Sequence, residues 1–216
     1  LKKNFDLPVC ILNIGGISNI TIISNEDIYE NFFSKDIGPG NCLIDTWIRK
    51  NSKKKFDKDG LLASLGKKNE IILEQAQELY ANRINKEKIS LDVNDFDISF
   101  ARGLSLEDGA RTITEFSANL IGGSLRESFN KFDFNIKEIL LCGGGRKNKF
   151  LIDKIKKYLS KDIKLRLIDE YKINGDFIES QAFGFLAIRS LKKLPLTFPD
   201  TTNCKKPCSG GELIQN

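Results

Sequence analysis

Histidine and methionine are both absent from the 216 residues, tryptophan occurs once and proline five times. Without histidine, no Ser-His-Asp or Cys-His catalytic device can be built on this chain, and no zinc site with an imidazole ligand. Without methionine, even at position 1, the chain is expected to be a fragment. No apolar run approaches the ~18 residues that a membrane span needs. The start, Leu1-Lys2-Lys3-Asn4, leads into a strand-like run rather than a signal peptide. A cytoplasmic protein with no membrane partner is therefore expected.

Neither sign of charge dominates: 34 Lys and Arg stand against 29 Asp and Glu, a net charge of +5. The excess is Lys, spread along the chain, whereas a nucleic-acid surface would be clustered and rich in Arg and aromatics, so no nucleic-acid partner is expected. Hydrophobic residues at 40% and charged residues at 29% lie near the globular average, which excludes bulk disorder. The length fits one large or two small domains. Of the five cysteines, Cys10, Cys42 and Cys142 sit in apolar patterns and read as small buried hydrophobes of a reducing compartment. Cys204 and Cys208 lack the second ligand pair that a metal site needs.

Apolar periodicity predicts a strand from Val9 to Ile14 and another from Ile17 to Ser24, joined by Gly15-Gly16 as a tight type I′ hairpin with positive φ at both glycines. A third strand is predicted from Ile28 to Phe33, ending near Lys35-Asp36. After the turn Ile37-Gly38-Pro39-Gly40-Asn41, a helix carries Leu43, Ile44, Trp47 and Ile48 on one face. Asp57-Lys58-Asp59-Gly60 reads as a solvated polar turn, although Asp57 and Asp59 could bind a metal or a hydroxyl, before helical stretches to about Ala81. Residues 82–102 read as a surface excursion. The longest helix is predicted from Ser105 to Phe129, opened by a Ser105/Asp108 capping box. Its Gly122-Gly123 pair suggests close packing of another backbone. Phe132 and Phe134 read as core. Consecutive Ile139, Leu140 and Leu141 mark a central strand from Lys137 to Cys142. A helix over 147–159, a strand from Ile163 to Ile168 and a helix opening at Gly175-Asp176 complete the order. Asp176 and Glu179 read as capping that helix. The pattern is α/β, a mixed sheet flanked by helices.

Three glycine turns are candidate ligand sites. At the hairpin tip, Asn13, Gly15, Gly16 and Asn19 could present bare amides to an anion, or form an ordinary hairpin. Asp36, Gly38, Gly40 and Asn41 set a carboxylate before a helix N-terminus with unpaired N–H groups, which suits phosphate or sugar oxygens; Asp36 could instead only cap or pair locally. Gly143, Gly144, Gly145 and Asn148 lie between a buried strand and a helix, where a flat group could rest on the backbone, or where the glycines could form only a tight strand–helix turn. Neither a Walker A loop nor a GxGxxG fingerprint is present.

Taken in order, these stretches resemble the anhydro-N-acetylmuramic acid kinase family. The pieces are Leu12-Asn13-Ile14-Gly15-Gly16-Ile17-Ser18-Asn19, Asp36-Ile37-Gly38-Pro39-Gly40-Asn41 with Asp45 and Trp47, Asp57-Lys58-Asp59-Gly60, Leu104 to Ala110, Cys142-Gly143-Gly144-Gly145 with Asn148, and Gly175 to Glu179 with Ala182-Phe183. The resemblance implies an actin-like ATPase (ribonuclease H-like) fold, with residues 1–216 its C-terminal lobe, the phosphate hairpin at 9–24 and the N-terminal lobe missing. It implies ATP and Mg²⁺, and anhydro-N-acetylmuramic acid as the sugar, opened at its 1,6-anhydro ring and phosphorylated at O6 in cell-wall recycling. It implies a homodimer in the full-length family. By motif, Asn13, Gly15, Gly16 and Asn19 would face the phosphates. Asp36, Gly38, Gly40 and Asn41 would line the cleft to the sugar, and Gly143, Gly144, Gly145 and Asn148 would lie by adenosine. The family's Gly-Thr-Ser-like hairpin and catalytic base have no counterpart here, so the chain alone is expected to be inactive, with its partner surface exposed. Another sugar or acetate kinase of the superfamily, or a non-catalytic nucleotide-binding module, remains the alternative.

Overall fold

The computed structural model describes residues 5–24, 32–83, 90–131, 135–212 and 214. These form a five-stranded mixed sheet in the order β3-β2-β1-β4-β5. Strand β1 (Val9–Ile14) runs antiparallel to β2 (Ile17–Ile23) and parallel to β4 (Glu138–Cys142). Strand β3 (Phe32–Pro39) adds antiparallel to β2, and β5 (Lys164–Leu167) adds parallel to β4. With helices on the sheet, this is the α/β arrangement, a mixed sheet flanked by helices, that the sequence leads one to expect. Ile28 to Asn31 of the predicted third strand, and Phe132 and Phe134, lie outside the described residues.

Strand β1 is central because Val9, Cys10, Leu12 and Ile14 are all fully buried, as are Ile139, Leu140 and Cys142 beside it. Each such aliphatic side chain removed from water contributes ~1.5–3 kcal/mol. Helix α1 (Cys42–Asn51) turns Leu43, Ile44, Trp47 and Ile48 into the same core. After the short α2 (Leu61–Leu65) and α3 (Glu70–Arg83), the long α4 (Leu106–Lys131) crosses the sheet with Ala110, Ile113, Phe116, Ile121 and Leu125 buried. Trp47 lies against Gly109 of α4 and donates its indole N–H to Leu106 O at 2.9 Å. The remaining helices are α5 (Lys149–Lys156), α6 (Ile178–Leu191) and the one-turn α7 (Pro199–Thr202).

Several local expectations change. Ile14 pairs with Ser18, so three residues turn the hairpin corner, and neither Gly15 nor Gly16 has positive φ; the two-residue type I′ turn is not formed. The capping box on α4 is half made: Ser105 Oγ accepts from Asp108 N at 3.1 Å, while the Asp108 carboxylate takes Lys67 N at 2.6 Å. Gly122 accommodates the Tyr158 ring rather than a backbone, and Gly123 is open. From residue 90 the excursion turns inward: Phe96, Ile98 and Ala101 are buried, and Tyr80 stacks on Phe96 at 5.5 Å and packs on Phe116 at 5.2 Å. Helix α6 has no buried residue and exposes Phe183, Phe185, Ile188 and Leu191.

Candidate functional site

The three glycine turns meet at one end of the sheet, where β1 and β4 run parallel and finish together. The hairpin tip is stitched to the start of α1. Gly40 N and Cys42 N donate to Gly16 O at 2.9 and 3.2 Å, and Asn41 N donates to Gly15 O at 2.8 Å. These N–H groups are therefore engaged by the hairpin and are not the free anion donors that the sequence suggests for this helix end. The approach is so close that a Cβ on Gly40 would sit 2.4 Å from Gly15 O.

The turn after β4 locks onto the same place. Gly143 has φ of +76°, a conformation that glycine adopts without steric cost, and a Cβ there would lie 2.4 Å from Asn13 Oδ1. A Cβ on Gly145 would lie 2.2 Å from Ile14 Cγ2 and 3.0 Å from Asn41 Nδ2. Gly144 differs, because nothing stands within 4 Å of its Cβ position. It faces a cavity of about 430 Å³ lined by Asn41, Asp45, Phe56, Lys147 and Asn148 among others. One wall is aromatic, one is open glycine backbone, and the rim is polar, which suits a flat ligand with hydrogen-bonding edges. Burial raises the Asp45 carboxyl, with Arg49 opposing and Asp57 reinforcing the shift.

Not every candidate residue joins this cavity. Asn19 stands opposite Asn13 in the hairpin register. Asp36 accepts Leu91 N at 2.8 Å and lines a separate cavity between β3 and α4. Gly38 is buried against Leu120 of α4. Asn148 spends its side-chain oxygen on capping α5, accepting Leu151 N at 3.0 Å. Asp57 is no solvated turn residue: its buried carboxylate takes Leu62 N at 2.8 Å and Ala63 N at 2.9 Å.

Two contributors escape a reading of local spacing. Arg146 is almost fully buried and binds Asp169 in a fork at 2.8 and 3.0 Å, Asp176 at 2.6 Å and Gly143 O at 2.9 Å. It clamps the glycine turn to the loop before α6, where Gly143 N also donates to Gly175 O. Arg146, then Lys147 at 2.7 Å, hold the Asp176 carboxyl down to about 2. Asp176 therefore pairs across the fold instead of capping α6. Glu179 accepts Asn13 Nδ2 at 3.2 Å and sits 3.8 Å from the Cβ position of Gly15, beside the hairpin tip. The only available signal was an Arg placed directly after three glycines, with its acidic partners 23 and 30 residues downstream.

The family model for anhydro-N-acetylmuramic acid kinase matches residues 2–216. The chain belongs to the anhydro-N-acetylmuramic acid kinase family. It is 47% identical over 215 residues to the anhydro-N-acetylmuramic acid kinase of Pelagibacter ubique (strain HTCC1062), covering 100% of this chain and 57% of that relative. It is 35% identical over 218 residues to the anhydro-N-acetylmuramic acid kinase of Agrobacterium fabrum, covering 100% of this chain and 56% of that relative. The chain thus spans little more than half the length of these curated kinases. Among solved structures, the activator of the 2-hydroxyisocaproyl-CoA dehydratase from Clostridium difficile with bound ADPNP is similar at a TM-score of 0.47 and 11% identity. That likeness covers 80% of this chain and 57% of that one. Among the described residues, no helix is long and apolar enough to cross a membrane.

Proposed function

We propose that the chain is the nucleotide-binding part of an ATP-dependent anhydro-N-acetylmuramic acid kinase, working in cytoplasmic cell-wall recycling as a homodimer. The overall reaction adds water across the C1–O6 bridge of the 1,6-anhydro sugar and moves the γ-phosphoryl group of ATP to O6. What supports the reading is the meeting of the hairpin tip, the α1 start and the Gly143–Gly145 turn beside one cavity.

In this reading the adenosine lies over Gly144 and beside Phe56, with Asn41 and Asn148 at its polar edges. The hairpin tip, with Asn13, Gly15, Gly16 and Asn19, faces the phosphates, and Asp36, Gly38, Gly40 and Asn41 continue toward the sugar. Asp36 and Gly38 would act from behind the turn, through the β3–α1 connection, because their side-chain positions face α4.

Mg²⁺ is held in such sites by one or two carboxylates together with phosphate oxygens and water. The exposed Glu179 carboxylate, held by Asn13 next to Gly15, fits that demand; among the described residues no cluster of three or more acidic or thiol ligands exists. The ion would neutralise charge on the phosphates when bound. Phosphoryl transfer also needs groups on the opposite side of the phosphate and a base for the attacking water. The three turns supply one wall only, so the 216 residues taken alone bind ATP without turning it over. Calorimetric titration with MgATP, paired with an ADP-release assay in the presence of the anhydro sugar, tests this. Absence of ATP binding rejects the nucleotide site, and ADP release by the chain alone rejects its inactivity.

A further inference from the structure

The cavity beside Gly144 contains a half-buried carboxylate that the fold leaves unspent. Asp45 lies one turn after Asn41 on α1, and its backbone N–H donates to Asn41 O at 2.8 Å, so the two residues share one face of the helix. Both line the cavity. Two neighbouring acceptors are already taken. Asp57 spends its carboxylate oxygens on Leu62 N and Ala63 N, and Asn148 spends Oδ1 on Leu151 N. Asp45 differs. Its side chain is only 28% exposed, yet among the described residues its carboxylate accepts no hydrogen bond. Arg49 Nη1 stands 4.0 Å from Asp45 Oδ2, beyond hydrogen-bond reach, and Arg49 Nη2 donates instead to Thr46 Oγ1 at 3.4 Å. Withdrawing an acceptor from water without giving it a donor is costly, so such a group inside a cavity points to a donor that arrives with the ligand.

Charge and position narrow the donor. A carboxylate repels phosphate oxygens, so the triphosphate does not lie against Asp45. Adenine offers one amino donor among ring-nitrogen acceptors, which a carboxylate also repels. A ribose presents two adjacent hydroxyls, which match the two oxygens of a carboxylate. The placement agrees. The base end of the cavity is marked by Phe56 and the open backbone at Gly144, and the phosphate end by the hairpin tip, to which Gly40 N, Asn41 N and Cys42 N are bonded. The sugar of a nucleotide joins these two ends, and Asp45 stands one helical turn, ~5.4 Å, along α1 from the tip contact. Asp59 also lines the cavity, but it is exposed, so water already satisfies its carboxylate and a hydroxyl gains little there.

We propose that Asp45 selects ribonucleotides, its two carboxylate oxygens accepting hydrogen bonds from the 2′- and 3′-hydroxyls of the ribose. The inference rests on the nucleotide site proposed above and names the part of the nucleotide that this site reads.

The test uses the whole chain and calorimetric titration with the magnesium complexes of ATP, 2′-deoxy-ATP and 3′-deoxy-ATP. The wild type should bind ATP about tenfold or more tightly than either analogue, because each analogue leaves a charged acceptor short of one donor. Asp45→Asn keeps the shape of the side chain but removes its charge and one acceptor oxygen. Its ATP affinity should fall about tenfold and its affinity for the analogues far less, so the ratio closes toward one. A merely structural residue would weaken all three ligands alike and leave the ratio unchanged. Asp45→Ala should close the ratio as well, and emission from Trp47 checks that both variants are folded. Equal affinity of the wild type for the three nucleotides, an unchanged ratio in the folded Asp45 variants, or transfer of the effect to Asp59→Asn would each overturn the assignment. In those outcomes ATP still binds; failure of the wild type to bind any of the three strikes the nucleotide site itself, and the role of Asp45 with it.

Discussion

Neighbouring glycines after β4 separate a ligand effect from a folding effect. Gly144→Val adds three carbons where the chain itself has open space, at a residue without positive φ. Folding stability should therefore change by no more than ~0.5 kcal/mol, as for substitutions that touch nothing. The same carbons project into the 430 Å³ cavity, where the adenosine is proposed to lie. A displaced contact worth ~1.4 kcal/mol raises Kd about tenfold, so ATP affinity should fall by at least that factor. Gly145→Ala is the counterpart. Its Cβ would enter 2.2 Å from Cγ2 of the fully buried Ile14, and overpacking of that kind costs ~1–3 kcal/mol. Urea unfolding followed by the single tryptophan, together with MgATP calorimetry, reads both quantities. Wild-type ATP affinity in folded Gly144→Val would refute the placement of the nucleotide. Wild-type stability in Gly145→Ala would refute the packing on which the convergence of the turns depends.

Other perturbations have equally direct readouts. Gly109→Ala puts a methyl 2.1 Å from Trp47 Cζ2, so it should cost ~1–3 kcal/mol and shift the emission of the one indole. Asp57→Ala leaves Leu62 N and Ala63 N without their acceptor and should cost ~1–2 kcal/mol in urea unfolding, as loss of a helix cap does. Asp176 titrates at about 2 in the folded chain, below the ~3.9 of a free aspartate. Its pairing therefore stabilises the fold above about pH 4 and the benefit fades as pH falls toward 2. Carboxyl NMR should place that midpoint near 2, and Asp176→Asn should flatten the acid limb of stability; a midpoint near 4 would sink the clamp. A Phe183→Ser/Ile188→Ser pair should reduce dye binding and self-association without changing the unfolding midpoint, since both side chains are exposed.

Much of this molecule is legible locally. The alternation in Val9–Ile14, the apolar triplet Ile139-Leu140-Leu141 and the spacing from Leu106 to Phe129 announce β1, β4 and α4, because burial of one face or both leaves its period in the chain. The ordered motifs announce the family. What escaped is long-range. Whether the amides at Gly40, Asn41 and Cys42 are bare depends on carbonyls 24 to 26 positions earlier, which no local pattern records. Asp176 and Glu179 have the spacing of a cap, yet their partners, Arg146 and Asn13, arrive from β4's end and β1. Asp57 looks like a surface turn until α2 is folded over its carboxylate. The partner of Gly122 is an aromatic ring from the segment after α5, and a glycine alone does not say what fills the space it leaves.

Helix α6 is supported at its ends and bare along its span. One end is tied through Asp176 to Arg146 and through Glu179 to Asn13; the other is tied to a tail whose α7 rests on β3. Such a beam passes a load on Phe183 or Phe185 to its footings rather than to a packed core. Whatever leans on those rings will therefore be felt first at Asn13, at the rim where phosphates are proposed to sit.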